Sequence, residues 1–80
     1  MRKKKKKFWV FSMATRMTWG KYAGHYVRQI LDFDPDYIIW CATNIWGISI
    51  KIKPDVDAFF KKTYGQTLSA MRETASKKIK

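Results

Sequence analysis

Polar and apolar positions fall into a few short, well-punctuated segments. Phe8-Trp9-Val10-Phe11 is an apolar run, and Thr15 to Trp19 has strand-compatible composition. Gly20 and Gly24 then bracket Lys21, Tyr22 and Ala23 in a spacing suited to a tight reversal, because glycine accepts positive φ. His25-Tyr26-Val27 is expected as the returning strand of that hairpin. Val27, Ile30 and Leu31 stand at i, i+3 and i+4, so a helical turn begins there. It ends before Pro35, since the residue preceding a proline avoids the helical region.

Asp34-Pro35 reads as a helix start, with an oxygen side chain at the N-cap and proline in the first turn. Tyr37, Ile38, Trp40, Cys41 and Ile45 follow at helical spacing, giving a helix from Pro35 to about Asn44. Ser49-Ile50-Lys51-Ile52-Lys53 alternates as a strand with one buried face does, leaving Lys51 and Lys53 towards solvent. Pro54 opens another helix, on which Val56, Phe59, Phe60 and Thr63 recur, and Tyr64-Gly65 closes it. Thr67 caps a last helix with a thin stripe of Leu68, Met71 and Ala75. The fold class is α+β: a small single domain in which a β-hairpin and a further short strand pack on two to three helices. Its expected limits are a basic, aromatic extension at 1–12, a folded core at 13–66 and a basic helix or tail at 67–80.

Eighty residues bury a modest core, but four Trp, four Tyr and five Phe supply much area per side chain. Trp19, Tyr37 and Trp40 are assigned to that core, and Trp46, beside Gly47, to the surface. The net charge is +11, distributed as +6 over residues 1–7, zero over 8–60 and +5 over 61–80. A neutral centre with cationic ends favours a polyanionic partner.

The phrase Met17-Thr18-Trp19-Gly20-Lys21-Tyr22-Ala23-Gly24, then Ile30, then Asp34-Pro35-Asp36-Tyr37-Ile38-Ile39-Trp40 resembles the small carboxy-terminal domain of exodeoxyribonuclease X. It is also similar to stand-alone bacterial and phage proteins built from that domain. The likeness covers about a third of the chain. Cys41 and Ala42 depart from it, standing where the family has bulkier aliphatics, and nothing after Asn44 continues it. The resemblance implies a nucleic-acid-associated accessory domain. It implies no nuclease activity, because in the relatives that chemistry sits in a separate domain.

Catalysis finds little support in the residues themselves. Asp32, Asp34 and Asp36 lack the glycine pivot and distal glutamate of a calcium loop, and Asp34 and Asp36 suit a helix start. His25 has no nucleophile beside it, and His25 with Cys41 falls short of a metal-ligand set. Neither a phosphate-binding loop nor a dinucleotide fingerprint occurs. No enzyme activity, cofactor or metal is therefore expected. Cys41, the single cysteine, excludes an intramolecular disulfide and is expected to be buried.

Binding is easier to place. At a hairpin tip, Lys21 can neutralise a phosphate while Tyr22 stacks on an unpaired base; alternatively, Tyr22 folds back onto Trp40 as core. Arg16, Arg28, Trp46, Lys51, Lys53, Lys61 and Lys62 extend the candidate surface. The lysine run and Lys77, Lys78 and Lys80 add phosphate contacts that carry no sequence information. The expected role is a non-catalytic, weakly specific nucleic-acid-binding module of phage or mobile-element type, with DNA favoured over RNA. A replication or repair protein is a further candidate partner. Alternatives are a protein–protein module or inhibitor acting on a nucleic-acid-processing enzyme, and membrane-surface association through residues 2–11. The Phe8–Ala14 run is too short to span a bilayer, so a membrane partner is disfavoured and a cytoplasmic site is expected. Phe8 to Phe11 are either unstructured or paired with the strand at Thr15–Trp19.

Overall fold

The structure, a computed structural model, describes residues 8–78. The lysine run at residues 2–7 and Lys80, expected to add phosphate contacts, lie outside the described residues. Two strands and four helices follow in the order β1 (Phe8–Phe11), α1 (Val27–Phe33), α2 (Pro35–Asn44), β2 (Ser49–Ile52), α3 (Pro54–Tyr64) and α4 (Leu68–Lys78). The α+β class holds. Three predicted helix starts do as well: Pro35 and Pro54 open α2 and α3, and the Thr67 hydroxyl accepts the Ala70 N–H at 3.0 Å to start α4. Gly65 closes α3 in the left-handed region, at φ +84°.

The sheet departs from expectation. β1 pairs in parallel with β2, in the register Phe8–Ser49, Trp9–Ile50, Val10–Lys51 and Phe11–Ile52. Lys53 N–H extends the ladder by donating to the Phe11 carbonyl at 2.9 Å. Phe8–Phe11 therefore neither remains unstructured nor pairs with Thr15–Trp19. A parallel pair needs a long crossover, and the hairpin, α1 and α2 provide it. The hairpin itself is narrower than predicted, with one antiparallel bridge, Arg16–Tyr26, in place of two strands. Val27 is drawn into α1, where it is fully buried.

Phe11, Met17, Val27, Ile30, Leu31, Ile38, Cys41, Ala42, Val56, Phe60 and Leu68 form one core. Every element except β2 contributes a buried residue to it, and β2 lays Ile50 and Ile52 against its edge. Phe11 lies in the stretch read as an extension and Leu68 in the stretch read as a basic helix or tail, which is the helix α4. Polar contacts join these segments to the rest. The Asp55 carboxylate accepts the Met13 N–H at 3.1 Å, and Asp57 accepts the Ser69 N–H at 3.0 Å and its hydroxyl at 2.8 Å.

A two-stranded sheet is marginal without helices on it, and complete burial of one phenylalanine is worth about 2–3 kcal/mol. A chain beginning at Phe8 is expected to melt like the full chain in circular dichroism. One beginning at Met13, which loses β1 and Phe11, is expected to melt at least 10 °C lower, or to be unfolded at 25 °C (about 4–8 °C is lost per kcal/mol in a domain of this size). Equal melting of the two would contradict the role given to β1.

Candidate nucleic-acid interface

The hairpin turns back on itself through Gly20 and Gly24, at φ +85° and +97°. Met17 N–H donates to the His25 carbonyl at 2.9 Å, Gly24 N–H to the Met17 carbonyl at 2.7 Å, and Val27 N–H to the Thr15 carbonyl at 2.8 Å. Gly20 is required twice over: a side chain there would adopt a strained backbone and would collide with the Tyr37 hydroxyl from α2. That hydroxyl accepts the Lys21 N–H at 3.0 Å. The Tyr22 hydroxyl in turn donates to Asp34 Oδ2 at 2.6 Å. The Tyr22 ring meets those of Phe33 and Tyr37 edge-on, with centroids 5.0 and 5.1 Å away.

Asp34 stands at the expected N-cap position of α2, but its carboxylate makes no cap bond. It is held by Tyr22, with Lys21 Nζ 3.9 Å away. The Lys21 ammonium also lies 5.2 Å from the Tyr22 ring centroid. Because the Lys21 side chain is mostly solvated, its pairing with Asp34 contributes at most about 1 kcal/mol. The hydrogen bond to Asp34 raises the Tyr22 phenol above its ordinary pKa, since the bond needs the proton in place. Burial raises the Tyr37 phenol and the Cys41 thiol.

The other candidate residues separate by element. Lys21 is exposed at the hairpin tip, whereas Tyr22 folds back, onto Tyr37 and Phe33 rather than Trp40. Arg16 and Arg28 are both exposed and both lie near Tyr26. Arg16 is the bridge partner of Tyr26, and the Arg28 guanidinium lies 5.3 Å from the centre of its ring. Lys51 and Lys53 are exposed at β2 and just after it, and Lys61 and Lys62 in the last turn of α3.

Two tryptophans exchange their expected places. Trp40, assigned to the core, is 55% exposed. The buried face of α2 is Ile38, Cys41 and Ala42, and Trp40 stands about 200° round the helix from Ile38. Trp46, assigned to the surface, is half-buried beneath the Arg72 guanidinium, 4.2 Å from its ring centre.

Arg72, read only as part of the basic tail, binds the end of α2. It donates from Nη1 to the Ala42 and Ile45 carbonyls at 2.8 and 2.9 Å, and from Nη2 to the Ile48 carbonyl at 3.4 Å. It thereby satisfies a carbonyl of the last helical turn with a cation, as the helix dipole favours. Trp46, Ile50, Ile52, Arg72 and Glu73 help to line a shallow cleft of about 270 Å³.

Residues 17 to 45 thus form an interlocked unit of hairpin, α1 and α2, and the same residues carry a family signature. They match the exodeoxyribonuclease X-like C-terminal family. The match starts at buried Met17 and ends at Ile45, just past α2, so β1, β2, α3 and α4 lie outside it. No curated protein and no solved structure matches the chain. The family is the one that the hairpin and Asp-Pro phrases resemble. Among the described residues, no helix is long and apolar enough to cross a membrane. No three His, Cys, Asp or Glu side chains among them converge on one point.

The raised phenol of Tyr22 has a consequence for stability at alkaline pH. A folded pKa above the unfolded value means that its contribution is complete below pH ~10 and is lost as pH rises through the folded value. The melting temperature of the wild type is therefore expected to drop more steeply above pH 10 than that of Tyr22→Phe. Parallel curves in a thermal melt series from pH 8 to 11 would contradict the Tyr22–Asp34 bond.

Proposed function

We propose that this protein is a non-catalytic nucleic-acid-binding module of low sequence specificity, serving as an accessory to nucleic-acid-processing machinery. The observation that carries the reading is the family match over residues 17–45, a segment that displays exposed Lys21 at its tip and Arg28 on α1, with exposed Arg16 just before it. Charge supports it: residues 1–7 and 61–80 together carry the whole +11 excess. Cations release counterions from a phosphate backbone without reading its sequence. DNA is preferred to RNA on the strength of the exonuclease relationship, which also makes a replication or repair protein a fitting associate. A phage or mobile-element origin and a cytoplasmic site belong to the same reading.

The exposed ring of Trp40 favours a second reading, a protein–protein module acting on a nucleic-acid enzyme. Its partner would bind through α2 and would survive nuclease treatment.

Fluorescence-anisotropy titration of labelled DNA at several salt concentrations separates the two. Affinity is expected to fall at least about tenfold between 50 and 200 mM salt, as for a protein that neutralises several phosphates. Sequence changes in the oligonucleotide should alter it little. An affinity independent of salt, or no binding at any salt, would overturn the nucleic-acid reading.

A further inference from the structure

Tyr26 is the residue of this segment whose placement the proposed function leaves unused. Its backbone is fixed from both directions. On one side it forms the antiparallel bridge with Arg16, flanked by the Met17–His25 and Val27–Thr15 hydrogen bonds. On the other it is the N-cap of α1, with extended φ and ψ of −82° and 150°, and the Gln29 side chain accepts its N–H at 2.9 Å. Bonds that flank the bridge, rather than cross it, define a non-hydrogen-bonded pair, whose side chains emerge on one face at the closest spacing a sheet allows. Arg16 and Tyr26 therefore share a face, and Arg28 lies over the Tyr26 ring.

Tyr26 is 38% exposed, whereas Tyr22, four residues earlier, packs on Phe33 and Tyr37. Among the described residues neither arginine is in an ion pair. The result is an aromatic residue that shares a face with Arg16 and has the Arg28 guanidinium 5.3 Å from its ring centre, on a backbone held from both sides.

Resting on the nucleic-acid reading above, we infer that Arg16, Tyr26 and Arg28 form a stacking site for an unpaired base, so that the folded body prefers single strands to duplex. A base enclosed in a duplex cannot offer its face to a side chain, whereas an unpaired one stacks on tyrosine or on a guanidinium plane. The arginines supply charge complementarity to the phosphates on either side of that base. Preorganisation lowers the ordering cost of the contact, because the backbone that carries the ring is already held by hydrogen bonds.

The test compares an unstructured single-stranded oligonucleotide with a duplex of the same length, using the full chain. Wild type is expected to bind the single strand more tightly. Tyr26→Leu should weaken that binding about tenfold, the loss of one stacked base, and leave duplex binding and the salt slope unchanged. Tyr26→Trp should retain the preference. Arg16→Gln and Arg28→Gln should each lower the salt slope on single strands by about 0.7, one phosphate contact apiece. Matching melting curves for Tyr26→Leu and wild type establish that the variant is folded. Wild-type affinity in Tyr26→Leu, or equal binding of strand and duplex, would overturn the stacking site while leaving the proposed function standing. Failure of the wild type to bind either would overturn both.

Discussion

The Tyr37 hydroxyl stands where a side chain at position 20 would have to be, and the local architecture follows from that contact. It obliges residue 20 to be glycine, and it fixes the hairpin tip on α2 through the Lys21 N–H. One residue further on, the Tyr22 hydroxyl reaches Asp34, where α1 gives way to α2. The two halves of the recognised phrase, separated by about ten residues in sequence, are thus one constellation in space. Each half supplies what the other lacks: small space, a backbone N–H and a phenol O–H from the hairpin, and oxygen acceptors from the helix junction and α2. The hairpin so held carries the Arg16–Tyr26 bridge, which puts both side chains on one face, with the Arg28 guanidinium over the Tyr26 ring.

A second constraint comes from size. The parallel strands are only four residues each and are joined by a crossover that includes the whole recognised unit. Such a sheet closes late in sequence and has little hydrogen bonding of its own, so it depends on what packs over it. Phe11 enters the core that the helices build, with Ile50 and Ile52 against its edge, and side chains of α3 and α4 reach distant segments. Asp55 holds the turn after β1, Asp57 holds the start of α4, and Arg72 holds the end of α2. Hydrogen bonds to a charged group are worth about 1.5–3 kcal/mol each where partly buried, comparable with a buried aliphatic side chain.

Sequence made the locally encoded elements readable. Proline at the first helical position, threonine at a cap, glycine past a helix end and two-residue alternation each act within a few residues. α2, α3, α4 and β2 all carry such marks. Trp40 is exposed despite its aromatic character, because its angle from Ile38 puts it on the outer face of α2. β1 was not legible because four apolar residues do not name a partner some forty residues away. Arg72 was hidden for a related reason: in a lysine-rich stretch, nothing in the sequence separates a solvated cation from one that caps a distant helix. Tyr26 reads in sequence as an ordinary strand residue, and only the structure shows that it also caps α1, shares a face with Arg16 and has Arg28 over its ring.

The functional account holds that the folded body, and within it the hairpin with α1, meets nucleic acid, the basic ends adding affinity without direction. Backbone amide shifts in ¹H–¹⁵N spectra, followed as an unlabelled single-stranded oligonucleotide is added, test that most directly. The account predicts that the largest changes fall on Arg16, Lys21, Tyr26, Arg28 and their neighbours. Changes confined to the two termini, with residues 16–28 unmoved, would contradict it and would reduce the basic ends to a general attraction for any polyanion.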